Sequence, residues 1–211
     1  MVSMVQRHRG IDDDQIKRCS ASRSSSKSGD SPEWPFPLTI YSSAHRRSHA
    51  EANEVRVRYW ITDIGDEEAY FKLLELCESH RQNCSLVINS GALPAQSAFD
   101  FVATASTFIV GDKQQTSWPG GGTLEPGATC RVIYVQVCPE SIGLLRKAAT
   151  NLYDWVHPFL PEDLAFYRPD GSVFFAAITH EGVSFFEIDS AEMDRVKSKL
   201  PTLDLLTVSP I

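Results

Sequence analysis

The sequence predicts an α+β fold, a largely antiparallel sheet of about six to eight strands with three main helices on one face. Three observations carry that prediction. Apolar residues alternate with period two in several short segments, helical stripes with i, i+3, i+4 spacing interrupt them, and Pro, Gly, Asn and Asp gather at the joints.

The folded part begins late. Residues 1–33 hold seven serines from Ser20 to Ser31 among Arg and Lys, with no apolar period. Such a segment buries too little surface to offset its chain entropy and reads as a disordered Ser/Arg-rich arm. Residues 34–53 read as a linker. Within it Trp34-Pro35-Phe36-Pro37-Leu38 sets two aromatics between prolines, which favours an extended path that pins the arm to the body or serves as a peptide-like ligand; pinning is the favoured reading. His45 and His49 stand one helical turn apart, a spacing able to grip a metal ion, but Arg46 and Arg47 between them oppose a divalent cation. No metal is expected there.

Residues 54–211 are expected to form one α+β domain. Val55, Val57, Tyr59 and Ile61 alternate with Arg56, Arg58 and Trp60, which predicts a strand with one buried face. A helix follows: Asp66, Glu67 and Glu68 suit its positive end, Tyr70, Leu73, Leu74 and Cys77 form its apolar stripe, and His80 and Arg81 meet its negative end. Leu86, Val87 and Ile88 predict a buried strand closed by the turn Asn89-Ser90-Gly91. Phe99, Phe101 and Ala103, then Phe108, Ile109 and Val110, predict two short strands, with an Ala-rich helix from Ala95 to about Ala105 as the alternative. Residues 112–129 show no period and read as one long connection. Its Gly120-Gly121-Gly122 is followed by Thr123-Leu124-Glu125, whereas a phosphate cradle needs Lys and then Ser or Thr, so no nucleotide cofactor is expected.

The run from Val132 to Val137 predicts a strand ending at Pro139. Ser141 then caps a helix whose stripe is Leu145, Ala148, Ala149, Leu152 and Val156, stopped by Pro158 and Pro161, with His157 as a partner for its C-terminal dipole. Three strands follow at Leu164–Tyr167, Val173–Thr179 and Val183–Ile188, joined by Pro169-Asp170-Gly171 and by His180-Glu181-Gly182. Asp189 and Glu192 form a capping box for a last helix carrying Met193, Val196 and Leu200.

In this order the elements fit two βαβββ-like halves, 54–111 and 130–188. The arrangement resembles the paired βαβββ modules of the vicinal oxygen chelate metalloenzymes. That resemblance is architectural and implies His and Glu ligands on strands of each concave face. The strand at 130–138 holds neither residue, so no ligands are carried over.

Charge and chemistry narrow the function. Residues 1–60 carry 10 Lys plus Arg and 7 Asp plus Glu, a net of +3, while residues 61–211 carry 10 and 20, a net of −10. An acidic body repels phosphate backbones, which speaks against double-stranded nucleic acid, and favours a basic protein partner. The five cysteines show no C-x-x-C pair and read as buried or inert thiols. No apolar stretch reaches membrane-span length and no secretion signal stands at Arg7, His8 and Arg9, so a cytoplasmic location is expected.

The first functional reading is a binding protein, an inhibitor or immunity-type regulator of a basic protein. The second is a small metal-assisted or hydrolytic enzyme. Its catalytic candidates are His180 and Glu181, an imidazole and a carboxylate adjacent in a tight turn, with Tyr167 across the sheet cleft. Self-association into a homo-oligomer through an open sheet edge is the third.

Overall fold

The computed structural model describes residues 55–80, 82–88, 93–120 and 126–207. The expected arm and linker, with the His45/His49 pair, lie outside the described residues. The alternating segments become seven strands: β1 (Val57–Ile61), β2 (Asn83–Ile88), β3 (Ile109–Gln115), β4 (Cys130–Gln136), β5 (Glu162–Tyr167), β6 (Val173–Ile178) and β7 (Val183–Ile188). They form one sheet in the order β1-β7-β6-β5-β2-β4-β3, antiparallel at every pairing. Four helices accompany it among the described residues: α1 (Glu67–His80), α2 (Gln96–Ala105), α3 (Pro139–Ala148) and α4 (Ser190–Lys199). The fold is α+β, as the periodicity predicts.

The helical stripes and one side of the strands make a single core. Tyr70 and Leu73 of α1, Phe101 of α2, Leu145 of α3 and Val196 of α4 pack with Ile61, Leu86, Ile133, Leu164 and Phe186 from the sheet. At its centre Trp155 and Tyr70 are fully buried, and the Trp155 indole N–H donates to the Tyr70 hydroxyl at 2.8 Å. A buried indole needs such a partner, because its donor otherwise loses water without replacement. Burial pushes the Tyr70 hydroxyl well above the ordinary tyrosine value, so it stays protonated.

Three expectations need correction. The segment read as a strand at Phe99–Ala103 is α2: Ala98, Phe101 and Ala105 are buried at helical spacing while Phe99 points out. The first half therefore runs strand, helix, strand, helix, strand, and does not repeat the βαβββ order that the second half keeps. The connection expected from 112 is shorter, because β3 continues through Gln115 along β4. The helix expected to reach Val156 ends at Ala148. There Asp154 Oδ2 accepts from the Thr150 and Asn151 N–H groups, and Asn151 Oδ1 accepts from Tyr153 N–H. These short side chains give the backbone partners that a further helical turn would have supplied. His157 accordingly lies in a turn and not at a helix end, and α3 begins at Pro139, with Ser141 Oγ accepting from the Cys138 N–H one turn back.

The capping box of α4 forms as read: Asp189 Oδ1 accepts from Glu192 N–H at 2.8 Å and Glu192 Oε2 from Asp189 N–H at 3.3 Å.

Across β3 and β4 Arg131 grips Asp112 with both Nε and Nη2, at 3.0 and 2.7 Å, and this pairing holds the Asp112 carboxyl below its ordinary value. A carboxylate depressed in the folded state stabilises fully above its unfolded value, and the contribution disappears as pH falls through the folded one. Both side chains are partly exposed, so the effect is small. Arg131→Gln should lower the melting temperature slightly at neutral pH, and the gap to wild type should narrow as pH falls below the ordinary aspartate value and close once Asp112 is protonated in both. A gap that persists in acid would refute the assignment.

Candidate functional site

The chemistry gathers at one end of the sheet, where β5 begins and β6 turns into β7. A 3-10 turn, Thr179–Glu181, joins β6 to β7 and closes on Gly182 at φ 65°, a left-handed conformation that glycine adopts without a Cβ clash. In a strand His180 and Glu181 would point to opposite faces; the turn puts both on the same corner. His180 Nε2 lies 3.7 Å from Glu181 Oε1, and both side chains are partly exposed, at 53% and 38%.

Asp163 completes this corner. It is fully buried, and its backbone sits at φ 57°, a strained conformation for a non-glycine residue, beside a bulge where β5 pairs with β2. Its Oδ1 accepts from Thr179 N–H at 3.0 Å and from Thr179 Oγ1 at 2.9 Å, and its Oδ2 accepts from the Trp118 indole N–H at 2.7 Å. Both oxygens of this buried carboxyl are thus bonded, which offsets the cost of taking it out of water. His180 Nδ1 stands 3.9 Å from the same Oδ1. Trp118 lies on the connection after β3 and packs over Val87, Cys130 and Val132 on the sheet face away from the helices. Two residues on, Gly120 at φ 86° runs so close to β6 that a Cβ would meet the Ala177 carbonyl oxygen at 2.5 Å.

Of the residues singled out in the sequence, His180 and Glu181 come together, joined by Asp163, Thr179 and Trp118, which sequence reasoning missed. Tyr167 belongs to another group. Its hydroxyl bonds Ser85 Oγ at 3.0 Å and its ring faces Tyr134 at 6.0 Å, four residues along β5 from Asp163. Burial holds that hydroxyl far above its ordinary value, so it stays protonated and is no base at neutral pH. No signal in the chain pointed to Asp163, because its partners are chosen by strand register and by a loop.

The segments that lead to this corner are rich in carboxylates. The turn Leu152–Asp154 packs against Thr179–Glu181, and the Asn151 side-chain amide donates to the Gly65 carbonyl at 3.2 Å. Asp63, Asp66, Glu67 and Glu68, then Asp154, then Glu181 therefore belong to three contacting segments, and 61–68, 150–154 and 179–182 contain no Lys or Arg. Lys72 reaches Glu68 from the next turn of α1. Beside Asp154 opens a groove of about 460 Å³ lined by Ser97, Tyr153, Val156, Phe159 and Leu160. Phe159 on its wall and Phe99 close by on α2 are 64% and 52% exposed.

Among the described residues no group of three or more His, Cys, Asp or Glu is placed to hold a metal ion. Cys77, Cys84 and Cys130 are buried, and desolvation pushes the Cys84 thiol up to about 12, beyond thiolate chemistry at neutral pH. No described helix is long and apolar enough to cross a membrane. No known family model matches the chain, nor does any curated protein or solved structure.

Proposed function

We propose that this chain works by binding, as an inhibitor or immunity-type regulator that docks a basic protein on its acidic corner. The observation that carries the reading is the meeting of three segments, distant in sequence, that hold six carboxylates and no Lys or Arg. Like charges gathered at one end cost stability through repulsion, and a cationic partner relieves it while gaining a faster encounter. The adjoining groove, with Phe99 and Phe159 exposed, supplies the apolar contact area that charge alone lacks.

The test immobilises the full chain, recovers what it retains at low salt, and titrates the recovered protein against wild type and an Asp63→Asn, Asp66→Asn, Glu67→Gln, Glu181→Gln variant. The expected result is a basic protein whose affinity falls with added salt and falls again in the variant. A partner held equally by both proteins, or held independently of salt, would overturn the reading.

One observation favours the hydrolytic alternative: a buried carboxylate 3.9 Å from the His180 imidazole is the beginning of a general-base arrangement. Hydrolysis of ester or phosphate substrates by the wild type, lost in His180→Ala, would replace the binding reading.

A further inference from the structure

Among the described residues six large apolar side chains are exposed, and three of them, Leu93, Phe99 and Phe159, come from two segments that are tied together. The Pro158 carbonyl accepts from Ala95 N–H at 2.9 Å, and the Phe159 carbonyl accepts from Ser97 Oγ at 2.6 Å. Phe159 walls the groove of about 460 Å³, and Leu160 is shared between that groove and a smaller hollow walled by Pro94, Phe99 and Val102. The patch is therefore continuous, and exposed apolar surface gathered in this way marks a binding face. Resting on the reading of a basic partner, we infer that the patch receives a segment of that partner in which a bulky apolar side chain stands next to Lys or Arg. The apolar side chain fills the groove, and the cation meets the carboxylates on its rim.

Charge complementarity selects that occupant. Residues 82–112, which supply α2, and residues 148–167, which supply most of the groove, contain no Lys or Arg. Asp154 lines the groove, and Asp100 follows Phe99 on α2. Each carboxylate has one oxygen engaged within the fold: Asp154 Oδ2 accepts from the Thr150 and Asn151 N–H groups, and Asp100 Oδ1 accepts from Gln96 Nε2 at 2.8 Å. A carboxylate has two such oxygens, so each can still accept from a cation. Of the cations nearby, Lys147 adjoins the lining at the end of α3, and Arg131 at the smaller hollow is held by Asp112. A second copy of this chain docked face to face would set its own Asp100 and Asp154 against these and be repelled. A segment with charge alone would leave the apolar walls wet, whereas a large side chain seated in a pocket is the usual anchor of an interface.

The test titrates the full chain with three labelled synthetic peptides of equal length, followed by fluorescence anisotropy: Lys alternating with Trp and Leu, Lys alternating with Ser, and Glu alternating with Trp and Leu. The first is expected to bind, and Phe99→Ser/Phe159→Ser should weaken it at least about tenfold. Phe159→Ser alone, at the more exposed of the two positions, serves if the double variant melts below wild type. Asp100→Asn should weaken the first peptide by about two- to fivefold, a loss that vanishes at high salt. Amide shifts caused by this peptide are expected in 93–100 and 148–160. Equally tight binding of the Lys and Ser peptide, indifferent to the phenylalanine changes, would overturn this inference and leave the acidic-corner reading standing. So would shifts confined to other segments, binding by none of the peptides, or self-association of the chain that the phenylalanine changes abolish. Equally tight binding of the Glu peptide would overturn the basic-partner reading together with it.

Discussion

Glu192→Ala should lower the unfolding free energy by about 3–5 kcal/mol, the loss usual when one member of a buried ion pair is removed. Arg168 and Glu192 are only 6% and 8% exposed, and the pair is bidentate: Nε donates to Oε1 at 3.0 Å and Nη2 donates to Oε2. The guanidinium also donates to the carbonyls of Val173 and Glu187 and lies over the Phe174 ring at 5.3 Å, so it is locked to β6 and β7. Without Glu192 a charge stays buried and unpaired, and α4 loses the side chain that bonds back to Asp189 N–H. The double change Arg168→Met/Glu192→Leu should be less damaging than Glu192→Ala alone, because it removes the orphaned charge together with the pair. Urea unfolding of the three proteins checks this: a single-variant loss under about 1 kcal/mol, or a double variant worse than the single, would contradict it.

Asp163→Ala should be comparably severe, about 3–5 kcal/mol. Three donors lose their acceptor at once, Thr179 N–H, Thr179 Oγ1 and Trp118 Nε1, and each buried donor left unmade costs about 1–3 kcal/mol. Alanine also takes on the left-handed backbone at φ 57° without the local bonding that aspartate brings. Asp163→Asn should fall between wild type and alanine, since asparagine tolerates that backbone and keeps one acceptor oxygen while its amide nitrogen faces a donor. Trp118→Phe isolates one bond and should cost about 1–2 kcal/mol. Denaturant midpoints, with tryptophan fluorescence reporting the release of Trp118, give the ranking, and an Asp163→Ala protein as stable as wild type would contradict it.

These effects concentrate where partners come from distant segments, and the same division runs through the fold. The α4 capping box was readable because Asp189 and Glu192 lie within one helical turn and need no other element. Helix α2 was misread because Phe99, Phe101 and Ala103 satisfy a period of two while Ala98, Phe101 and Ala105 satisfy a helical one; the core had room for the second set only. The end of α3 was missed because Leu152 and Val156 continue the apolar stripe, although Asn151 and Asp154 break the backbone pattern beneath it.

By itself the sequence determined the fold class, the position of all seven strands beside one false strand at Phe99–Ala103, the acidic balance of the body, and the turn that holds His180 and Glu181, because periodicity, capping and turn chemistry act over a few neighbouring residues. Tertiary structure alone decided that Asp163 is buried beside His180, that Trp118 bonds it from 45 residues away, that Arg168 pairs with Glu192, and that Tyr167 stands apart with Ser85. Burial and hydrogen-bond partnership are set by strand order and register, and those depend on which distant segments exclude water together.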